Sequence, residues 1–209
     1  MRLKFRILKI SLRELLVCIA LLAGCLALSK RLVDRVTHQS EAVAKVRRTM
    51  GMVRYDFHVA VPQWCVDWFG PDLFATPTSV AYFEGGAYPE HAPENHRNYA
   101  ALQDLPELEE IDVFDSAFPI DVLDGISGLT HLKIEQNGLR DDDMDRIAQL
   151  QRLRVLQLPF NDITDVGAKK LTHLKNLTEL DLSGNLVSDL AIADLRAALP
   201  ECRIKSWQR

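Results

Sequence analysis

The chain has 209 residues, room for one ordinary domain plus an anchor. Apolar residues make up 47% and charged residues 26%; this excludes a disordered chain, four cysteines exclude a disulfide scaffold, and a single long apolar run excludes a polytopic membrane protein. The net charge of −4 is composite: residues 1–54 hold 12 Lys/Arg against 3 Asp/Glu and residues 55–209 hold 13 against 26, so a basic head precedes an acidic body that would repel phosphates, and no nucleic-acid partner is expected.

Residues 1–14 form the basic head, with five Lys/Arg ahead of an uncharged run from Leu15 to Leu28. That run is short for a bilayer. Residues 11–32 number 22 and reach about 33 Å as a helix, enough for the ~30 Å hydrocarbon core if Arg13, Lys30 and Arg31 snorkel to the headgroups. Three readings compete: an uncleaved transmembrane signal anchor, a signal peptide cut after Ser29, and lipidation of Cys25, because Leu22-Ala23-Gly24-Cys25 resembles a lipobox. The first is adopted. The flanking positive charges nearly balance and do not fix orientation, but all three readings put the body outside the cytoplasm, on a single-pass membrane protein.

Residues 33–51 read as a helical stalk in which Val36, Ser40, Val43 and Val46 share one face and Gly51 is the stop; the competing reading packs this helix on the body. Residues 52–104 are assigned to an N-terminal cap. It opens with Val53, Tyr55, Phe57, Val59 and Val61 in strand-like alternation, followed by a bulky turn bearing Trp64, Trp68 and Phe69. Within it, Phe74-x-x-Pro77-x-x-Val80-x-Tyr82 is a degenerate form of the repeat that follows. Loop 85–98 is taken as a solvated insertion; His91, His96 and the neighbouring Glu84, Glu90 and Glu94 fit no metal-ligand spacing.

Residues 105–198 repeat one template four times: Leu105-x-x-Leu108-x-x-Ile111-x-Val113-x-x-Ser116-x-Phe118, then again from Ile126, Leu150 and Leu174, at spacings of 21, 24 and 24. Residues 199–209, with Leu199, Cys202, Ile204 and Trp207, close the series as a C-terminal cap. In each unit the alternating pair, such as Leu156-x-Leu158, makes a short strand with both side chains inward, and no unit can bury its apolar face without a neighbour. Asn137, Asn161 and Asn185 form one column, suited to pairing backbone groups at the turn that no sheet ladder reaches; Ser116 is a shorter stand-in. Asp141, Asp165 and Asp189 form a second column, each opening a helical stretch and read as helix-capping residues. Met144, Ala168 and Ile192, and Ile147, Leu171 and Leu195, would pack those stretches on the sheet.

This pattern resembles the leucine-rich repeat, strongly over 105–205 and weakly over 74–104, and is most similar to ribonuclease-inhibitor-like short bacterial varieties. The resemblance implies an α/β leucine-rich repeat solenoid, with short parallel strands on the concave side and short helices on the convex side, here preceded by one transmembrane helix. It implies an Asn ladder and a concave binding face. By alternation that face carries Glu110, Asp112 and Phe114; His131, Lys133 and Glu135; Val155, Gln157 and Pro159; Glu179, Asp181 and Ser183; and Arg203 with Lys205. No nucleophile elbow, Walker loop, dinucleotide-binding glycines or zinc-protease motif is present, so neither an enzyme nor a cofactor, metal or small-molecule substrate is expected. Asp141-Asp142-Asp143 lacks the glycine and final glutamate of a calcium loop. Cys65 and Cys202 fall at opposite ends of the body and are expected to be free. The expected function is a membrane-anchored protein–protein interaction module. The alternatives are a structural envelope component and an inhibitor or regulator of a secreted enzyme.

Overall fold

The computed structural model describes residues 12–48, 51–57, 62–73, 75–83, 99–115 and 118–207, with side chains in the first helix from Lys30 onward. It divides into two compact units, Met1–His38 and Gln39–Arg209. The first unit holds the start of helix α1 (Leu12–Arg48). Residues 1–11, the Cys25 side chain and most side chains of the predicted anchor lie outside the described residues. Among the described residues, no helix is long and apolar enough to cross a membrane.

From Gln39 onward, α1 is part of the repeat unit. Ala42, Val43 and Val46 are buried in its core, and Gln39 Nε2 donates to the Ala75 carbonyl at 3.0 Å. The stalk expected over 33–51 is therefore corrected for its second half. The Val43–Val46 stripe that marked one face of the helix is a docking face, because the first repeat needs an apolar cover where no preceding repeat exists. Gly51 ends the helix by donating to the Val46 carbonyl at 3.1 Å. A Cβ there would meet the Tyr82 ring and a Val46 methyl, each at 2.7 Å, so only glycine lets the chain pass under Tyr82.

Seven strands form one sheet in sequence order: β1 (Met52–Phe57), β2 (Ala75–Phe83), β3 (Glu110–Phe114), β4 (His131–Glu135), β5 (Val155–Gln157), β6 (Glu179–Asp181) and β7 (Arg203–Lys205). β1 runs antiparallel to β2 and the other pairs are parallel. In the expected degenerate repeat Val80 pairs with Ile111 and Tyr82 with Val113, but Pro77 lies inside β2 opposite Tyr55 and Phe74 lies outside the described residues. The β1–β2 register shifts beside Pro77, which has no N–H for the ladder, and an extra residue is accommodated there. Helix α2 (Gln63–Phe69) follows β1. Its Trp64 and Trp68 do not plug the end of the core as a bulky cap would; they are 60% and 81% exposed, on one i, i+4 face.

Inward positions are filled as the alternation requires. Ile111, Val113, Leu132, Ile134, Leu156, Leu158, Leu180, Leu182 and Ile204 are all buried, as are Leu108, Leu129, Leu153 and Leu177 on the approach to each strand. In the first repeats, aromatic rings replace some aliphatic layers. Tyr82, Tyr99 and Phe118 stack edge to face, with centroids 4.8 and 5.2 Å apart.

The return segments lie on the other side. Helices α3 (Met144–Ile147), α4 (Asp165–Lys170) and α5 (Asp189–Ala198) bury Met144, Ile147, Ala168, Ile192 and Leu195, and Leu171 follows in the turn after α4. The 21-residue first interval has no length for a helix and makes only the 3-10 turn Ile120–Leu123.

Candidate functional site

The open face of the sheet, turned away from the helices, is held by ladders that tie each repeat to the next. Asn161 is 1% exposed. Its Oδ1 accepts from the Asn137 and Leu139 N–H groups of the preceding repeat at 3.0 and 3.1 Å, and its Nδ2 donates to the Ile134 and Leu158 carbonyls at 2.9 and 3.1 Å. Asn185 repeats this, accepting from the Ile163 N–H and donating to the Leu158 carbonyl. Asn137 accepts from the Phe118 N–H at 3.1 Å and is only half-buried. Ser116 lies outside the described residues. Just before each ladder position the chain turns left-handed, at Asp115, Gln136, Phe160 and Gly184, with φ of 45°, 55°, 57° and 71°.

The Asp column acts differently from the expected helix caps. Asp141 reaches forward into the next repeat. Its carboxylate accepts from the Thr164 N–H and hydroxyl at 2.8 and 2.6 Å and from the Gly167 N–H at 3.0 Å. Asp165 accepts from the Ser188 N–H and hydroxyl, both at 2.7 Å. The caps themselves are Thr164 and Ser188, whose hydroxyls accept from the Val166 and Ala191 N–H groups. A carboxylate in the first turn can serve the next repeat because stacking brings that repeat's unpaired N-terminal N–H groups beside it. Burial alone would raise the Asp141 carboxyl, but the Thr164 and Gly167 hydrogen bonds and the Lys170 ammonium outweigh it and hold the group below its ordinary value. Hydrogen bonds from Ser188 lower Asp165 in the same way. Asp189 opens α5, and among the described residues no helix follows α5.

Strand register gathers the predicted face residues into two rows. One runs Glu110, His131, Val155, Glu179 and Arg203; the other runs Asp112, Lys133, Gln157, Asp181 and Lys205. Phe114 and Glu135 stand opposite each other beyond them. The charges largely neutralise one another. Lys133 Nζ lies 3.6 Å from Asp112 and 3.3 Å from Glu135, and Arg54 of β1 pairs with Glu110 at 3.3 Å. Glu179 accepts from Gln157 at 2.9 Å and Arg203 at 2.6 Å, and Asp181 accepts from Lys205 at 2.9 Å. Asp112 is the least satisfied. Burial raises its carboxyl above the ordinary range, and Lys133, too distant for a good hydrogen bond, offsets this only in part. His131 sits exposed beside the Thr130 hydroxyl, 2.9 Å from Nδ1.

One corner of the face is apolar. Phe160 and Trp207 meet edge to face at 5.3 Å, and a Cβ on Gly184 would come within 2.7 Å of the Phe160 ring. A bulky residue in the left-handed region costs about 1–2 kcal/mol; Phe160 is held there by its N–H bond to the Ser183 carbonyl at 2.9 Å and by this packing. With Pro159 these rings edge a depression of about 250 Å3 that also takes in Lys133, Glu135, Gln157 and Asp181. The alternation rule places Gln157 and Pro159 on the face but does not reach Phe160, and Trp207, expected in the C-terminal cap, stands half exposed against that ring. The signal for Phe160 is its position before the ladder Asn, where the next repeat has glycine. Among the described residues no group of three or more His, Cys, Asp or Glu could hold a metal ion; the 85–98 loop lies outside them. Cys65 and Cys202 are free thiols.

A leucine rich repeat family model matches residues 127–187 and 151–197, so leucine-rich repeats are matched over 127–197. No curated protein matches the chain. Similar solved structures include an internalin of Listeria monocytogenes at 21% identity and TM-score 0.42, covering 53% of this chain and 31% of that one. A leucine-rich repeat protein of Leptospira interrogans is 28% identical, with TM-score 0.41, covering 51% and 27%. The repeat ectodomain of an Arabidopsis thaliana receptor kinase is 16% identical, with TM-score 0.49, covering 82% and 92%. The chain thus spans about a third or less of the internalin and the Leptospira protein.

Proposed function

We propose that these leucine-rich repeats form a protein-binding module, held at a membrane by residues 11–32 with the repeats outside the cytoplasm, and that the open sheet face receives the partner. The observation that carries the reading is the Phe160–Trp207 corner. It is a pair of partly exposed rings on a face whose charges are otherwise matched internally, and aromatic anchors beside polar surroundings are what binding hot spots consist of. The apolar run from Leu15 to Leu28, behind its basic head, supports the anchor. A structural envelope role is the second reading. It is favoured by the ion pairing of Lys133, Arg203 and Lys205, which leaves that part of the face little to offer a ligand.

Photo-crosslinking in cells of the native host separates the two. A probe at Gln157 and a control at Lys169 on the helical side are compared, each with and without Trp207→Ala. A discrete protein adduct from Gln157 alone, lost with Trp207→Ala, is the expected result. Equal adducts from both probes, or none from either, would sink the binding-face reading.

A further inference from the structure

A second candidate surface lies along the edge where the strands begin, off the open face. The residues just before each strand form a column, Glu109, Thr130, Arg154 and Thr178, joined by main-chain bonds: Thr130 N to Glu109 O, Arg154 N to Thr130 O and Thr178 N to Arg154 O, at 2.8 to 2.9 Å. Two residues earlier a parallel column holds Gly128, Arg152 and Asn176, at the same 24-residue spacing. Leu153 between the two arginines is buried, and both arginines are exposed and line the same space. Their immediate neighbours are smaller, Thr130, Thr178, Asn176 and Gly128, whose Cβ would press on the Leu108 carbonyl at 3.0 Å, while Glu109 at the head of its column and His131 also line the space. Arg152 and Arg154 therefore stand beside an open trough of about 660 Å3, a volume within the ~300–1,000 Å3 typical of ligand clefts.

The two arginines differ from the cations around them. Arg54, Lys133, Arg203 and Lys205 are each paired to a carboxylate. The Arg152 and Arg154 side chains have no hydrogen bond or ion pair among the described residues, although the body carries twice as many acidic as basic residues. Two guanidinium forks two residues apart, roughly 7 Å along an extended chain, match a pair of carboxylates on an extended acidic segment. Such a segment would also meet Asn176 and the Thr130 and Thr178 hydroxyls in the trough. Since the rest of the body is acidic, long-range attraction is weak, and recognition depends on bidentate contact at this point. We infer that the Arg152–Arg154 trough is an anion-reading subsite that binds an acidic peptide segment of a protein partner. It rests on the binding-module reading and adds the chemistry of the ligand.

The test uses the full-length protein in nanodiscs of neutral lipid and a fluorescent decapeptide of alternating Glu and Gly, compared with its Gln–Gly analogue by anisotropy. Binding of the acidic peptide at least 10-fold tighter than the analogue, weakening as salt rises, and loss of that preference in Arg152→Gln/Arg154→Gln are expected. Both arginines are exposed, so the urea midpoint of the variant should match the parent. Equal binding of both peptides would overturn the proposal. So would full displacement by millimolar inorganic phosphate, which would mark a simple anion site. Weakening by Trp207→Ala but not by the arginine substitutions would place the peptide on the open face, refuting the trough while leaving the binding-module reading intact. Failure of the Gln157 crosslink with success here would refute the open face as the partner's seat and leave the trough as the binding site.

Discussion

Asn161→Ala removes the most heavily used side chain of the ladder. The Asn137 and Leu139 N–H groups lose the oxygen they share, and the Ile134 carbonyl loses its donor, whereas the Leu158 carbonyl keeps Asn185 and the Pro159 carbonyl keeps the Gln136 N–H. The Leu139 N–H and Ile134 carbonyl are buried and the Asn137 N–H half-buried; at about 1–3 kcal/mol for each buried group and less for the third, the loss is roughly 3–6 kcal/mol. That is a large share of the ~5–15 kcal/mol that holds a typical domain together. Asn137→Ala removes the equivalent residue from a half-exposed turn, where water can replace it, and should cost about 1 kcal/mol. Urea unfolding of both variants and the parent, followed by far-UV circular dichroism, measures the difference. Equal midpoint shifts, or a cost for Asn161→Ala below about 1 kcal/mol, would refute the claim that burial makes this ladder stabilising.

Gly184→Ala adds a Cβ at positive φ and 2.7 Å from the Phe160 ring, so a loss of about 1–3 kcal/mol is expected, partly recovered by pairing it with Phe160→Ala. Val46→Asp buries a carboxylate between α1 and the first repeat and should destabilise by several kcal/mol; an unchanged thermal midpoint would show that the helix is not docked there. Asp141 and Asp165 have depressed carboxyls when folded, so their contribution is complete above the ordinary value of about 4 and lost as pH falls through the folded one. Asp141→Asn/Asp165→Asn should flatten the acid limb of stability below about pH 4. Asp112 has the opposite sign: its folded carboxyl is raised, so the ionised form costs stability at neutral pH. Asp112→Asn should be neutral to stabilising at pH 7, by up to about 1 kcal/mol, with the gain vanishing in acid.

The repeat frame was legible because every apolar position recurs: the inward pairs, the Asn column and the packing residues of the return helices all lie where the period puts them. What escaped was whatever period alone does not specify. Asp141 shares its column position with a helix cap, and only the stacking of repeats shows that its oxygens reach the next one. The stripe at Val43 and Val46 fits a free amphipathic helix and a docked one equally well; the apolar end of the first repeat decides between them. Trp64 and Trp68 look like core from composition, yet the β1–β2 pairing and α1 already close that end and leave them outside. Alternation puts the open-face residues into the two rows that strand register forms, but it does not specify their ion pairs, because 3 Å decides whether a lysine is available or already taken.

The two ladders point in opposite directions along the chain. Asn161 reaches back to the repeat before it, while Asp141 reaches forward to the repeat containing Thr164 and Gly167, so one junction is latched from both sides. Both latches presuppose the same 24-residue pitch. Inserting or deleting a residue or two between 139 and 164 would pull both out of reach at once, whereas duplicating a whole repeat would leave every latch aligned. For this stretch of chain, the repeat is the smallest tolerable change in length. The 21-residue interval, where Ile120 replaces the latch aspartate, is where a shorter pitch has been accepted.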